Sequence, residues 1–254
     1  MTKSTKLTAE ARARLRAVST ATLTPALFKR GFRNTYMQDV QPLNPEARMV
    51  GEAYTMRYIP AREDLDVLSV FEDPEHPQRK AVEEIPPGSV FVIDSRRDRR
   101  AASAGSILLT RLMVRGVAGV VTDGGFRDSP EIARLAMPAY AVLPSAPTNL
   151  IHHHAVDLNV PIGCGDVAVF PGDIIVGDGE GVVVIPAEIA NEVAEEAFAM
   201  TLFENWVTEQ VRAGASIRGL YPANAETRAR YQAWRDGAGG KAAATVLLDA
   251  GKGA

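Results

Sequence analysis

The sequence has one cysteine, few aromatic residues and no long apolar run. Because Cys164 is the only cysteine among 254 residues, no disulfide can form within the chain. Aromatic residues make up 6% of the sequence. No uninterrupted hydrophobic stretch reaches the roughly 20 residues that a transmembrane helix needs. The N-terminus also lacks the pattern of a signal peptide. Together these absences predict a cytoplasmic protein with no membrane partner.

Neither sign of charge dominates the composition. The chain has 28 Lys and Arg against 31 Asp and Glu, a formal net charge of −3. This balance gives no electrostatic basis for nucleic-acid binding, so no nucleic-acid partner is predicted. A chain of this length can bury a substantial core. We predict one domain over residues 1–222, followed by a C-terminal helical extension and a flexible tail over residues 223–254.

The stretch 105–128 (GSILLTRLMVRGVAGVVTDGGFRD) has the most informative pattern in the chain. Its apolar residues share one face of a predicted helix: Ile107, Leu108, Leu109, Leu112 and Met113. Gly116 marks the end of that helix. The β-branched run 117–121 then predicts a buried strand. A glycine-rich turn follows and leads to Arg127 and Asp128.

Two chemical features of this stretch are expected to face one region. The predicted helix start, residues 105–108, offers free backbone N–H groups that suit an anion. Arg127 presents a planar fork to a carboxylate, and Asp128 offers oxygen ligands to a hard cation such as Mg²⁺. Together they predict a site for a 2-oxo acid. The alternative is a local Arg127–Asp128 ion pair, with Asp128 or Ser129 capping a helix that begins at Pro130.

The segments GSILL (105–109) and DGGFRD (123–128) together resemble the RraA-like family. The resemblance continues through NVPI (159–162), PGD (171–173) and GEGVVVIP (179–186), and covers roughly residues 19–215. The family comprises the class II 4-hydroxy-4-methyl-2-oxoglutarate and 4-carboxy-4-hydroxy-2-oxoadipate aldolases, which also decarboxylate oxaloacetate. It also includes the RraA regulators of ribonuclease E.

The resemblance implies an α/β chain with a swivelling β/β/α fold, in which helices flank a mixed sheet. Here N-terminal helices and a C-terminal helical extension would be added. It also implies a homotrimer or a dimer of trimers with sites at subunit interfaces. The implied function is a divalent-metal-dependent carbon–carbon lyase for 2-oxo acids. It would catalyse retro-aldol cleavage of a 4-hydroxy-2-oxo acid, decarboxylation of oxaloacetate, or both, through the pyruvate enolate.

The resemblance also assigns substrate and metal roles to positions of this chain. Asp128 would hold Mg²⁺ or Mn²⁺. Arg127 and the N–H groups of Leu108 and Leu109, beside Gly105, would bind the substrate and stabilise the enolate.

Two further catalytic candidates, besides Arg127, come from the resemblance. Ser106 is a departure from the family pattern, because the aldolases usually have Asp or Glu at that position. Glu204 corresponds to a helical carboxylate that reaches a neighbouring subunit's site in the aldolases. The alternative for Glu204 is an exposed helical acid.

Two other function classes stay open. A dehydratase or another lyase acting on sugar-derived acids would keep the metal and the arginine but change the acid/base group, which is where Ser106 differs. A non-catalytic RraA-type regulator of ribonuclease activity would bind a protein partner and need no metal. Those regulators generally lack the aspartate after the arginine, whereas Asp128 is present here.

The acidic, proline-marked segment 59–85 is longer than its counterpart in compact family members. We predict that it shapes substrate choice, and the alternative is a plain surface excursion. Arg57, Arg62 and Arg79 are the cations in and beside it that could bind a second acidic group.

The remaining patterns predict elements around this stretch. Helices are expected over residues 8–18, with Thr8 as N-cap, and from Thr24-Pro25 as N-cap and first residue. Strands are expected over residues 51–58 and 89–94, and further helices over residues 187–212 and 225–234.

The His152–His154 run and Cys164 are predicted to pack rather than to do chemistry. Consecutive residues point in different directions, so three adjacent histidines do not readily hold one metal ion. Cys164 has no local activating base and is predicted to be a packed small hydrophobe.

Overall fold

The computed structural model describes residues 6–252 of the chain. The α-helices in this range are α1 (Ala9–Ala17), α2 (Thr20–Phe28), α3 (Pro77–Glu84), α4 (Ser106–Val114), α5 (Ser129–Ile132), α6 (Ala190–Arg212), α7 (Ala225–Asp236) and α8 (Ala238–Lys252). Short 3-10 helices span Leu68–Glu72, Asn149–Ile151 and Ala187–Ile189.

The strands are short, apart from β2, which has 12 residues. They are β1 (Gln41–Pro42), β2 (Met49–Pro60), β3 (Val90–Asp94), β4 (Ala102–Ala104), β5 (Gly119–Thr122), β6 (Gly125–Phe126), β7 (Ala139–Ala141), β8 (Leu143–Pro144), β9 (His153–Leu158), β10 (Ile162–Cys164), β11 (Val167–Val169), β12 (Ile174–Asp178) and β13 (Gly181–Ile185).

An eight-stranded mixed sheet forms the centre of the fold. Its order is β1-β7-β5-β3-β2-β12-β13, and β9 also pairs with β2. Pairing is parallel from β2 through β3 and β5 to β7 and antiparallel elsewhere. The inner parallel strands β3 and β5 are almost entirely buried β-branched runs, as strands covered on both faces should be. This confirms the predicted mixed sheet flanked by helices.

Two small sheets complete the strand arrangement. β10 and β11 form an antiparallel hairpin, whereas β4, β6 and β8 form a three-stranded parallel sheet. Because β4, β6 and β8 run in the same direction, the chain leaves all three at one edge. This edge determines where the candidate site forms.

Helices cover one face of the large sheet. On this face α3 and α4 pack on the buried residues of β2, β3 and β5, and α1, α2, α6 and α8 pack on β12 and β13. The opposite face packs on the hairpin of β10 and β11. In α4, Leu109 and Leu112 are fully buried, as the helical pattern predicts. Ile107 was predicted on the same face but is 83% exposed, because residue 107 lies in the first turn, beside the site rather than over the sheet.

The N-terminal helices agree only in part with prediction. Thr8 caps α1 as predicted, by accepting a hydrogen bond from the Ala11 N–H. Helix α2 begins four residues before the predicted Thr24 cap, and its N-cap is Ser19. Pro25 therefore lies inside the helix. It removes the N–H that the Ala21 carbonyl oxygen would accept, and the Thr24 hydroxyl donates to that oxygen instead at 3.1 Å.

The C-terminal segment is more ordered than the sequence suggests. Residues 225–236 form α7, close to the predicted helix, but residues 238–252 form a further helix, α8, instead of the predicted flexible tail. The half-buried Leu247 and Leu248 join the cluster of α1 and α6. The glycine-rich composition did not predict this helix. In the structure, glycine is required at Gly251 because α8 packs closely against α1 there. A Cβ atom at that position would lie 2.4 Å from the Ala13 carbonyl oxygen.

The histidine run and the cysteine pack as predicted. His153 is buried and stacks on Tyr58 with ring centroids 4.9 Å apart. Its Nε2 lies 3.2 Å from the Ala101 carbonyl oxygen, so this nitrogen carries the proton of the neutral ring. His154 instead pairs with Asp66. Cys164 is buried, and burial raises the pKa of its thiol, which keeps it protonated.

Within residues 6–252, no helix is both long enough and apolar enough to cross a lipid bilayer.

His153 should make folding stability depend on pH. Burial, with the nearby Arg96 charge, lowers the pKa of His153 from 6.5 to about 4. A lowered pKa means that the unfolded chain takes up the proton first, so stability falls as the pH drops through this window. Between pH 7 and pH 5 this residue should remove about 2 kcal/mol from the free energy of unfolding.

His153→Gln should lose that pH dependence, as measured by urea unfolding of both proteins at pH 7 and pH 5. Burial raises the pKa of Asp123 to about 6, so that group acts in the opposite direction, but equally in both proteins. An identical pH dependence in the variant and the wild type would contradict the assignment.

Candidate functional site

The candidate site lies where the chain leaves the small parallel sheet. Gly105 follows β4, Arg127 and Asp128 follow β6, and Thr148-Asn149 lies shortly after β8. A cavity of about 260 Å³ forms at this edge. Its lining residues are Phe71, Gln78, Arg79, Ala102, Ala104, Gly105, Ile107, Leu108, Arg127, Asp128, Thr148 and Asn149. Six of the seven predicted site residues cluster at this edge, and four of them line the cavity.

Gly105 allows the two sides of the site to approach each other. A Cβ atom at this position would lie 2.8 Å from Arg127 Cγ, 3.0 Å from Arg127 Cδ and 3.2 Å from Asp128 Oδ2. The backbone of Gly105 is extended, with φ −124°. The glycine is therefore required by this close approach and not by an unusual backbone conformation.

Asp128 is directed at the start of α4. Its Oδ2 accepts a hydrogen bond from Ser106 Oγ at 3.1 Å and a longer one from the Ser106 N–H at 3.3 Å. The residue has a left-handed backbone (φ 59°), which aspartate adopts more readily than most residues. Its side chain remains 40% exposed. A carboxylate at a helix N-terminus is favoured by the helix dipole.

This geometry differs from the alternative of a purely local Arg127–Asp128 arrangement. Asp128 occupies the N-cap position of α5, but its side chain makes no capping hydrogen bond there. Ser129 Oγ donates to the Phe126 carbonyl oxygen instead. Arg127 Nε lies 3.8 Å from Asp128 Oδ2, which is an ionic contact without a hydrogen bond.

The guanidinium of Arg127 is available to a ligand. It lines the cavity, is about half exposed, and makes no hydrogen bond with any residue in the described range. Its backbone N–H donates to the Ala104 carbonyl oxygen at 3.1 Å, which fixes the start of the side chain against β4. The main chain is therefore held while the charged group is free to bind an anion.

The helix start offers fewer N–H donors than the sequence suggests. The Leu108 N–H has no acceptor within residues 6–252, as predicted. The Leu109 N–H, however, donates to the Gly105 carbonyl oxygen at 3.2 Å, which is the first hydrogen bond of α4. The Leu109 N–H is therefore used within the helix, and its predicted contact with the substrate stays a prediction. The side chain of Leu109 is fully buried in the core.

Sequence analysis missed Gln78 and Asn149. Gln78 is buried, and its Nε2 donates to the Tyr58 hydroxyl and the Ser103 carbonyl oxygen, both at 2.8 Å. Asn149 is 7% exposed, and its Nδ2 has no hydrogen-bond partner in the described part of the chain. Both come from separate elements, α3 and a 3-10 helix, so no local pattern in one sequence connects them to residues 105–128.

Two aspartates at strand ends support the site without lining it. Asp123 follows β5 and accepts hydrogen bonds from the backbone N–H groups of Ser95 and Arg97. Burial raises its pKa to about 6. Asp94 ends β3 and accepts from the Arg96 N–H. Both carboxylates hold turns, as capping groups do.

A buried hydroxyl cluster fixes the glycine-rich turn before Arg127. The side chains of Ser95, Ser103 and Thr122 hydrogen-bond to one another at 2.6–3.0 Å. The Thr122 hydroxyl also accepts from the Gly124 N–H. A Cβ atom at Gly124 would lie 2.8 Å from Ser95 Cβ, so this turn also needs glycine.

The three arginines in and beside segment 59–85 have different surroundings. Arg57 pairs with Asp157, and Arg62 pairs with Asp64 on the surface. Arg79 lines the cavity, together with Phe71 from the same segment.

Glu204 lies on α6 and does not line this cavity. It accepts hydrogen bonds from the Tyr221 hydroxyl at 3.2 Å and, at the limit of hydrogen bonding, from the Thr22 hydroxyl at 3.5 Å. Its predicted role in a neighbouring subunit's site stays a prediction.

The available ligands fit a hard, mostly hydrated cation. Asp128 is the one carboxylate lining the cavity, with the Ser106 hydroxyl beside it. The described residues contain no group of three or more His, Cys, Asp or Glu that could share a metal ion. Mg²⁺ commonly binds through one or two carboxylates and takes its other ligands from water and substrate. The donor set therefore suits Mg²⁺ or Mn²⁺ and does not suit a closed zinc site.

A family model described as "RraA-like: Aldolase/RraA" matches residues 20–184. The chain belongs to the RraA-like family. The matched region contains β1 to β12, most of β13 and every residue that lines the cavity.

Two relatives illustrate the extent of the similarity. A Halalkalibacterium halodurans protein named "Putative 4-hydroxy-4-methyl-2-oxoglutarate aldolase" is 35% identical over 162 residues, which cover 62% of this chain and 69% of that protein. Legionella pneumophila DlpA is 24% identical over 178 residues, and the match spans 70% of this chain but 28% of DlpA.

The solved structure of RraAS2 from Streptomyces coelicolor, described as an unusual member of the RNase ES inhibitor RraA protein family, has the same fold. It is 27% identical to this RraA-like chain, with a TM-score of 0.72. The similarity covers 81% of this chain and 100% of RraAS2.

Gly105→Ala should displace Arg127 and weaken the site without unfolding the protein. We expect the affinity for pyruvate, the simplest 2-oxo acid, to fall on the order of tenfold in isothermal titration with Mg²⁺, because the added methyl group pushes the guanidinium away. Gly163→Ala is the matched control, since a Cβ atom there meets nothing within 4 Å. Equal affinities in the two variants would show that the close approach at Gly105 is unimportant.

Proposed function

We propose that this chain is a divalent-metal-dependent carbon–carbon lyase that acts on 2-oxo acids. The observation that carries the proposal is the cavity itself. It combines a free guanidinium on Arg127, a carboxylate on Asp128 and an open helix N-terminus at Ile107 and Leu108. Relatives named as aldolases support the same class of reaction.

The carboxylate and the C2 oxygen of a 2-oxo acid each have a binding partner among these groups. Its carboxylate would accept hydrogen bonds from the Ile107 and Leu108 N–H groups, where the helix dipole favours negative charge. The guanidinium of Arg127 would donate to the C2 oxygen, where negative charge develops. The N–H groups of the helix start are fixed before the substrate arrives, and the main chain of Arg127 is held against β4.

Asp128 would hold Mg²⁺ or Mn²⁺, with the Ser106 hydroxyl beside it. When bound, such an ion supplies positive charge that stabilises an enolate oxygen. The cavity lining contains no lysine, so it offers no amine for a Schiff base. Charge stabilisation by Arg127 and the helix start is thus the contribution of the chain's own residues.

Two reactions share this requirement. Retro-aldol cleavage of a 4-hydroxy-2-oxo acid removes the proton of the 4-hydroxyl group, breaks the C3–C4 bond, releases the C4 fragment as an aldehyde or ketone and leaves the pyruvate enolate. Decarboxylation of oxaloacetate breaks its C3–C4 bond, releases CO₂ and leaves the same enolate. Protonation at C3 then gives pyruvate in both cases. One site that stabilises the enolate can therefore serve both substrates.

Because position 106 is serine, this site has one carboxylate fewer than the aldolase pattern, which usually has Asp or Glu there. Its hydroxyl donates to Asp128 Oδ2, which leaves Asp128 as the single anionic oxygen donor in the cavity. A second carboxylate at position 106 would hold a divalent ion more tightly, but it would repel an anionic substrate. Ser106 thus favours binding of a strongly anionic substrate over metal affinity.

We further propose a homotrimer or a dimer of trimers, in which Glu204 of one subunit approaches the site of another. Exposed apolar side chains beside the cavity support this arrangement. Ile107 and Ile151, beside the cavity, are 83% and 57% exposed, which leaves apolar surface for a neighbouring subunit to cover.

Asp128→Asn should abolish metal-stimulated turnover. The amide keeps the size of the side chain but loses the negative charge that a divalent cation needs. Pyruvate release from oxaloacetate and from 4-hydroxy-4-methyl-2-oxoglutarate, with Mg²⁺ or Mn²⁺ and with EDTA, measures the effect. If the EDTA-treated wild type is as fast as the metal-loaded enzyme, the metal-dependent mechanism is wrong.

Arg127→Lys should reduce kcat/KM on the order of 10²-fold, the scale for loss of a preorganised donor to a developing oxyanion. Lysine keeps the charge but not the planar, two-pronged geometry. Arg134→Lys is a control on the nearby surface, because Arg134 does not line the cavity. Near-normal turnover of Arg127→Lys would place Arg127 outside the reacting site.

The rival function is a protein regulator of ribonuclease activity, which the similarity to RraAS2 supports. A regulator would bind its protein partner equally well in the Asp128→Asn variant, because a binding surface needs no metal. Inhibition of a ribonuclease E-type enzyme that survives this substitution, with no pyruvate formed by the wild type, would favour the regulator.

A further inference from the structure

We infer that Arg79 is a specificity-determining residue that binds a second carboxylate of the substrate. This inference rests on the proposed function and identifies the residue of this chain that would bind the far carboxylate of such a 2-oxo acid. Arg79 lies at the start of α3, outside the motif 105–128, yet lines the same cavity as Arg127 and Asp128.

The guanidinium of Arg79 lacks an anionic partner within the chain. It forms no ion pair or hydrogen bond with the residues that the structure describes, and its Nε is buried without an acceptor. Its neighbours are satisfied: Lys80 pairs with Glu75 at 2.6 Å, and Arg62 with Asp64 at 2.7 Å. Buried polar atoms are normally hydrogen-bonded. Of the two arginines that line the cavity, Arg127 has an ionic contact with Asp128, whereas Arg79 has none in the described range. The missing partner of Arg79 is therefore expected to come with the ligand.

Aromatic stacking holds the Arg79 group in place. Its Cζ lies 4.4 Å from the centroid of the Phe71 ring, a cation–π contact. The His76 ring also packs on Phe71, edge to face, with ring centroids 5.5 Å apart. Burial and the Arg79 charge lower the pKa of His76, so this ring is neutral at pH 7 and adds no second cation. A stacked guanidinium keeps its fork oriented for a carboxylate.

A second unsatisfied donor lies on the cavity wall. Asn149 is more than nine-tenths buried, and its Nδ2 has no hydrogen-bond partner in the described range. It lines the cavity from a different element than Arg79. Two orphan donors on separate elements indicate a ligand with several acceptor oxygens, as a carboxylate provides.

The charge balance of the cavity favours a dianion over a monoanion. Two arginines, Arg79 and Arg127, line it against one carboxylate, Asp128. A divalent cation on Asp128 would raise the positive charge further. A monocarboxylic 2-oxo acid would engage Arg127 and the helix start but leave Arg79 unpaired. A second carboxylate completes the pairing, and the planar fork of arginine fits it with two parallel hydrogen bonds.

Binding of two matched ligands tests the inference directly. 2-Oxoglutarate and 2-oxopentanoate share a five-carbon 2-oxo acid chain and differ in a terminal carboxylate against a methyl group. Isothermal titration with Mg²⁺ should show the wild type preferring 2-oxoglutarate on the order of tenfold or more, the range for a charge-assisted hydrogen bond. Arg79→Met should lose this preference while its affinity for 2-oxopentanoate stays within about twofold of wild type.

Two further variants complete the design. Arg79→Lys should keep part of the preference, because it retains the charge but not the fork. Arg62→Met is the matched control on the same segment, since Arg62 is exposed and paired with Asp64. It should bind both ligands as the wild type does. No preference in the wild type, a preference retained in Arg79→Met, or equal losses for both ligands would each overturn the inference.

The turnover measurement separates this inference from the proposed function. With 4-hydroxy-4-methyl-2-oxoglutarate, Arg79→Met should raise KM more than it lowers kcat. With 4-hydroxy-2-oxopentanoate, both constants should stay near wild type. Absence of pyruvate from every substrate would overturn the lyase function, while the binding preference would still decide the role of Arg79. Pyruvate release that depends on Asp128 but not on Arg79 would sustain the lyase and reject the inference.

Discussion

The candidate site depends on one close approach, that of Arg127 and Asp128 to the backbone at Gly105. The parallel pairing of β4 with β6 places these segments side by side. Because residue 105 has no side chain, the Arg127 stem can lie against it, and Asp128 can reach the Ser106 N–H and hydroxyl. An arginine, a carboxylate and a helix N-terminus thereby meet at one small cavity. The rest of the fold holds these two short strands in register.

Buried polar groups provide that support. The hydroxyl cluster of Ser95, Ser103 and Thr122 and the carboxylate of Asp123 bind the turns between β3, β4 and β6 through side-chain and backbone hydrogen bonds. Such groups are costly to bury unless they are satisfied, so they fix one geometry of the turns. Within the cavity lining, Gln78 is satisfied in the same way, whereas Arg79 and Asn149 each have a buried donor atom without a partner in the described range.

Local patterns in the sequence predicted the elements and the central motif, because those patterns act over a few residues. The buried runs became β3 and β5, Thr8 capped α1, and Gly116 ended α4 with a positive φ of 79°. The start of α2 was misplaced because Ser19 is an equally good cap and Pro25 is tolerated in the second turn. The helix α8 was missed because its stability comes from packing on α1, which glycine-rich composition does not reveal.

The sequence by itself therefore determined the family, the α/β class and the residues Gly105, Ser106, Arg127 and Asp128 as one site. These follow from short-range spacing and from a motif that stays contiguous in the fold. Only the tertiary structure decided that Arg79 and Asn149 join this site, that Asp128 turns to Ser106 instead of capping α5, and that the Leu109 N–H is occupied within α4. These facts depend on contacts between elements distant in sequence and on which backbone donors the helix itself uses.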